Sequence, residues 1–126
     1  MGSGATGEGS MSELIMYIVV NSNVKMSPGK LAAQVAHVAV KASHVFQKGV
    51  PDAWGYWYSG SHTKIVLKAP ETVLDDLLSK YAGITASVRD EGRTEIQKNT
   101  LTAIAFFPMS KDDAGFPPEL RKLSLY

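Results

Sequence analysis

Lys30, Gln34, His37, Lys41 and His44 follow one another at spacings of four, three, four and three. Those intervals align five side chains along one side of an α-helix. Ammonium, amide and imidazole groups together offer hydrogen-bond donors and positive charge, which suits an anionic ligand. The same face also suits a solvated surface, where lysines usually sit. From Leu14 to Pro51 there are four lysines and no Asp or Glu. The turn Ser27-Pro28-Gly29-Lys30 opens the helix, so free backbone N–H groups, the positive end of the helix dipole, and Lys25 and Lys30 lie close together. This resembles a phosphate-binding P-loop only in part. Val24 stands where that motif needs its first glycine, and Leu31 where it needs Ser or Thr.

A second constellation, Arg89-Asp90-Glu91-Gly92-Arg93-Thr94, gathers two carboxylates, two guanidiniums and a hydroxyl around a glycine. Such a loop reads either as a salt-bridged turn or as a site holding a water or a substrate hydroxyl. If it follows a strand parallel to, and beside, the strand that precedes Lys30, both segments meet at the carboxyl edge of the sheet. Lys30 and Asp90 are then expected to share a cleft.

The elements that would position these groups are legible. Leu14 to Val20 is a continuous apolar run suited to a strand covered on both faces. Ser27 caps a helix with Pro28 in its first turn, and Leu31, Val35, Val38, Ala42 and Val45 form its apolar row, ending near Lys48-Gly49. Pro51 to Gly60, with Trp54, Tyr56, Trp57 and Tyr58, reads as a short helix or an aromatic loop, a candidate for core packing, dimer contact or base stacking. Thr63 to Ala69 is a strand. A helix from Pro70-Glu71 buries Val73, Leu74, Leu77, Leu78 and Tyr81 and is closed by Gly83. Ile84 to Asp90 and Leu101 to Phe107 complete a set of four strands. The tail, with Phe116, Leu120, Leu123, Leu125 and Tyr126, is expected to pack back on the body. The fold expected is a three-layer α/β/α sandwich on a mixed, mostly parallel four-stranded sheet.

Composition narrows the chemistry. The 126 residues are 44% hydrophobic, enough for one domain with a core of its own. Residues 1–10 read as a flexible leader and residues 11–126 as the domain. No apolar run approaches membrane-spanning length, so a cytoplasmic protein without a membrane contact is expected. The absence of cysteine excludes thiol nucleophiles, disulfides and Cys-based zinc sites. His37, His44 and His62 show no metal-ligand spacing.

The chain resembles the type 2 peptidyl-tRNA hydrolases of archaea and eukaryotes over Ile15 to Tyr126. The resemblance rests on Val24-Lys25-Met26, on Gly29-Lys30-Leu31-Ala32-Ala33-Gln34-Val35-Ala36-His37, on Trp57, on Lys64-Ile65-Val66-Leu67-Lys68-Ala69, and on Asp90-Glu91-Gly92-Arg93-Thr94-Glu95-Ile96. It implies hydrolysis of the ester joining a peptide to the 3′ ribose of tRNA, with no cofactor or metal, often in a homodimer. Its functional residues fall here on Lys30, Gln34, Asp90 and Thr94, with Lys25 and Arg93 nearby as phosphate or structural contacts; Lys30, Asp90 and Thr94 are thus expected to be catalytic, and Gln34, Lys25 and Arg93, together with His37 and Lys41 of the helix stripe, to contact substrate. Ser27-Pro28-Gly29-Lys30 stands where Gly-Lys-Gly-Lys is common in that family. Glu91 replaces a small residue, and Val35 a frequent cysteine. An alternative expectation is an inactive relative that binds tRNA or a protein through the same surface.

Overall fold

The computed structural model describes residues 13–92 and 96–126; the expected leader and the Arg93 and Thr94 assignments lie outside these ranges. Five strands form one sheet: β1 (Met16–Asn21), β2 (Lys64–Ala69), β3 (Thr85–Arg89), β4 (Leu101–Phe106) and β5 (Ser124–Leu125), in the order β3-β4-β1-β2-β5. The helices are α1 (Pro28–Gly49), α2 (Pro51–Ser59) and α3 (Glu71–Lys80), with 3-10 turns at Ala82–Ile84 and Pro118–Lys122.

The α/β class agrees with the sequence, but the sheet does not have the expected four strands or a parallel majority. Only β1 and β2 pair in parallel; β1–β4, β3–β4 and β2–β5 are antiparallel. The reason lies in the connections. A helix is long enough to return the chain for a parallel neighbour, whereas β4 follows β3 without one and pairs against it. In doing so β4 inserts between β3 and β1, so β3 runs in the direction of β1 without touching it.

The central position of β1 explains its uninterrupted apolar run: all six residues are buried. Met16, Ile18 and Val20 face α1 and α2 together with Ala86, Ala103 and Ala105. The three alanines let α1 approach the sheet closely. Tyr17 and Val19 face the other way, against Leu74 and Leu77 of α3 and against Phe116 and Leu120 of the C-terminal segment. Burying each such leucine contributes about 1.5–3 kcal/mol. Glu119 fastens that segment by accepting from Lys80 Nζ and Tyr81 Oη, both at 2.7 Å. The tail packs back only in part, because Leu125 and Tyr126 remain exposed on the edge strand.

Helix α1 starts where the sequence places it, with Ser27 Oγ accepting from Lys30 N at 3.3 Å. Its buried row is Gln34, Val38, Ala39, Ala42 and Phe46, while Leu31 and Val35 are half-buried and Val45 is exposed. The contact follows the i, i+4 ridge, which drifts around the helix relative to a strict four-three alternation. Gln34 thereby moves from the expected polar face to the inside. Helix α3 ends at Lys80, so Gly83 lies in the following 3-10 turn rather than closing the helix itself. The aromatic segment is helical: Trp57 enters the core, whereas Tyr56 and Tyr58 stay exposed.

Candidate active site

At the edge where β1 and β3 end, Lys30 in the first turn of α1 forms an ion pair with Asp90, the residue just after β3. The ammonium contacts Asp90 Oδ1, and Gly92 N donates to Oδ2 at 2.7 Å. Backbone bonds hold Asp90 as well: its N–H donates to Thr100 O at 2.9 Å, and its carbonyl accepts from Asn99 N at 2.7 Å. Asp90 is only 2% exposed. The Lys30 hydrogen bond is the main cause that lowers its pKa below the ordinary value, outweighing burial, which acts in the opposite sense. A carboxylate so held stays ionised at neutral pH.

A cleft of about 530 Å³ opens over this pair, lined by Lys30, Gln34, His37, Lys41, Val88, Arg89, Asp90 and Glu91. The sequence-derived residues Lys30, Gln34, His37, Lys41 and Asp90 are therefore brought together. Lys41 Nζ donates to Ser87 O at 2.8 Å, which leans this lysine across onto β3. Lys25 is exposed in the β1–α1 connection and does not line the cleft.

Two residues were not singled out in the sequence. Thr102 is fully buried, and its hydroxyl donates to Gln34 Oε1 at 2.5 Å, with Val88 O also within reach at 3.3 Å. It occupies this place because of a β-bulge: Val88 pairs with Ala103 and Arg89 with Leu101, leaving Thr102 as the extra residue on β4. A bulge re-aims a side chain. Here it turns Thr102 towards α1, while Leu101 packs on the opposite face. With Oε1 occupied, the Gln34 amide NH2 has no acceptor among the described residues and sits in the wall of the cleft.

Asn21, also fully buried, donates from Nδ2 to Leu101 O at 2.8 Å and to Glu71 Oε1 at 2.9 Å, and its Oδ1 accepts from Asn23 N at 2.9 Å. Asn23 Oδ1 in turn accepts from Glu71 N at 2.8 Å. This network ties the start of the β1–α1 connection to β4 and α3. A polar residue ending an apolar run was the only signal for it.

Among the described residues no group of three His, Asp or Glu side chains is placed to hold a metal ion, and no helix is long and apolar enough to cross a membrane. The arrangement can place an ionised carboxylate, an ammonium and an amide donor around one polar substrate group. It defines an α/β domain with a charged cleft at the carboxyl edge of its sheet. Residues 14–117 match the family model described as Peptidyl-tRNA hydrolase PTH2, and the chain belongs to that family.

The chain is 39% identical over 104 residues to a peptidyl-tRNA hydrolase of Staphylothermus marinus, covering 77% of this chain and 84% of the relative. It is 37% identical over 108 residues to the mitochondrial peptidyl-tRNA hydrolase 2 of Bos taurus, covering 82% of this chain and 60% of the relative. The human protein of that name matches at the same identity and coverage. The chain thus spans about 60% of the length of these mitochondrial relatives.

Proposed function

We propose that the protein hydrolyses the ester bond of peptidyl-tRNA, releasing a peptide carboxylate and a tRNA with a free 3′ hydroxyl. The observation that carries this reading is the Lys30–Asp90 pair beside the buried Gln34 amide, within a cleft flanked by Lys41, Arg89 and His37. Family membership supports it, as do the names of the relatives.

Ester hydrolysis needs an oriented water, donors for the oxyanion, and a route for protons. In this proposal Asp90 orients the attacking water and fixes Lys30. Its lowered pKa makes it a weak proton acceptor at neutral pH, so placing the water is its larger contribution. Lys30 stabilises the negative charge that develops on the carbonyl oxygen or the charge of the terminal phosphate. Gln34 adds a neutral donor one helical turn away. Thr94 holds water or substrate by hydrogen bonding and Arg93 and Lys25 contact phosphate, roles carried by the family resemblance, while His37 and Lys41 receive the RNA as members of the polar stripe of α1. The substrate and a cytoplasmic setting belong to the same proposal, as does assembly into a homodimer.

Release of labelled peptide from peptidyl-tRNA tests the reading, with Asp90→Asn and Lys30→Ala beside the unmodified protein. Turnover that disappears in both variants while tRNA is still bound supports it. Binding without turnover in the unmodified protein would replace it with a non-catalytic tRNA-binding role. Binding should also weaken steeply with salt, since phosphate contacts release counterions.

A further inference from the structure

The wall of the cleft opposite α1 is the open edge of the sheet. Strand β3 has β4 on one side and no strand on the other. Ile84 O accepts from Phe107 N at 2.8 Å, and Asp90 N donates to Thr100 O at 2.9 Å. In an antiparallel pair the main-chain groups of alternate residues point to alternate sides. Those of Ala86 and Val88 therefore point to β4 with Ile84 and Asp90, and those of Thr85, Ser87 and Arg89 point outward. Arg89 faces Leu101 as a non-hydrogen-bonded pair, since its neighbour Asp90 makes the bond to Thr100. Among the described residues, the bond that reaches this edge is from Lys41 Nζ to Ser87 O at 2.8 Å. It closes the strand at Ser87, as lysines often do on sheet edges. The outward N–H and C=O of Arg89 lie next to Asp90, in a residue that lines the cleft.

Two arms leave the scissile ester, one RNA and one peptide, and the two walls differ in what they offer. Helix α1 presents Lys30, His37 and Lys41 side chains, whereas β3 presents a main-chain donor and acceptor. An extended peptide has the matching alternation of N–H and C=O groups and can add to a sheet edge. A phosphate chain has no donor for Arg89 O, and the Glu91 carboxylate in the same wall opposes its charge. Direction follows from the chemistry. The ester stands at the C-terminus of the peptide, and Asp90 stands beyond the C-terminal end of β3, so the peptide must run parallel to β3. In a parallel pair, one residue bonds to the two partner residues that flank it. Arg89 O then accepts from the N–H of the ester-bearing residue, and Arg89 N donates to the C=O two residues earlier.

We infer that the open edge of β3 at Arg89 is the peptide subsite, where the last three residues of the substrate peptide add to the sheet as a short parallel strand. The inference rests on the peptidyl-tRNA reading and deepens it, because it says how the peptide arm is held. Main-chain bonds make no demand on side chains, so the subsite accepts peptides of differing sequence.

The test places a methyl group on one amide nitrogen of N-acetyl-tripeptidyl-tRNA and measures KM with the unmodified protein. Methylation of the ester-bearing residue removes the N–H that Arg89 O accepts, and KM is expected to rise about five-fold or more. Methylation of the preceding residue, whose N–H points away from β3, should leave KM within about two-fold. Equal effects at both positions, or none at either, overturn the inference. A second comparison sets Arg89→Pro, which lacks the N–H, against Arg89→Ala, which keeps it; an outward N–H on an edge strand is where proline is tolerated. The Pro variant should show about a five-fold higher KM than the Ala variant on N-acetyl-tripeptidyl-tRNA. The two should be equal on N-acetyl-aminoacyl-tRNA, which has no carbonyl to meet that N–H. Equal KM on the tripeptidyl substrate overturns the inference, and the methyl comparison decides alone if the Pro variant does not fold. If the unmodified protein turns over none of these substrates, the hydrolase reading fails, and amide exchange with N-acetyl-tripeptide amide decides about the edge separately. Slower exchange at Arg89 supports a peptide subsite, and unchanged exchange removes it. Slow exchange there in a dimer before peptide is added gives the edge to a second copy and overturns the inference.

Discussion

The ammonium of Lys30 reaches from the first turn of α1 to the carboxylate of Asp90 beyond the end of β3, so one ion pair joins the two halves of the cleft. Asp90 is the more constrained partner, because Gly92 N holds its second oxygen and two backbone bonds fix its main chain.

This relationship sets a pH dependence. The Asp90 pKa is lowered from the ordinary 3.8, first by the Lys30 hydrogen bond. A lowered folded-state pKa means that the ionised carboxylate contributes stability fully above about the unfolded value, and that the contribution is lost as pH falls through the lower folded value. Acid unfolding followed by circular dichroism should therefore show the unmodified protein and Asp90→Asn differing by a constant amount above pH 4 and converging below it. Convergence already near pH 6 would contradict the assignment.

Gly92 is expected to resist substitution. Its φ is +78°, and an added Cβ would lie 2.8 Å from Lys98 Cβ and 3.1 Å from Lys98 Cα, neither of which is a freely moving end. Gly92→Ala should cost about 1–3 kcal/mol in urea unfolding. It should also reduce turnover, since the N–H that braces Asp90 moves with it. Wild-type stability in that variant would show that the turn adapts.

Thr102→Val keeps the shape of a buried residue and deletes the hydroxyl that holds Gln34. A loss of about 1–3 kcal/mol is expected, because Gln34 Oε1 is left without a donor in a buried site. Turnover should fall with it as the amide loses its fixed orientation. Thr102→Ser, which retains the hydroxyl, should recover most of the rate. Equal rates for the Val and Ser variants would remove Thr102 from the positioning of Gln34.

Asn21→Leu should destabilise by about 2–4 kcal/mol, because it strands the Leu101 carbonyl in the interior and frees Glu71 and Asn23. Thermal unfolding measures this directly. Amide exchange should also quicken at Ser22, Asn23 and Val24, where the β1–α1 connection begins, before it changes in β2.

Local signals were legible wherever one residue type has one structural use. The Ser27 cap, Pro28 at the helix start and the β-branched run of β1 all led to the observed elements. Lys30 and Asp90 were expected to meet at a sheet edge, and they do, although the strands that deliver them are separated by β4 rather than adjacent. Strand order was hidden because it depends on which strand inserts centrally, a matter of competing pairings over long separations. The inward turn of Gln34 was hidden too. Its spacing placed it with Lys30 and His37, and only the angle at which α1 crosses the sheet separates it from them. Thr102 depended on a bulge, which no periodic pattern encodes. The aromatic segment divided for a similar reason: Trp57 and Tyr58 are adjacent in sequence, and helical geometry sends one into the core and the other to solvent.

The backbone bonds from Asp90 to Thr100 and Asn99 close the neck of the segment between β3 and β4. Main-chain groups make these bonds, so side-chain replacements at Thr100 other than proline preserve them, whereas Asn99, with φ of 68°, holds a left-handed backbone that favours asparagine or glycine. The neck therefore fixes the main chain of Asp90, while Gly92 just beyond it braces the carboxylate itself. Exchanges at Thr100 thus leave the Asp90 main chain in place, and the demand for one residue type falls on Gly92, whose N–H sets the rotation of the carboxylate.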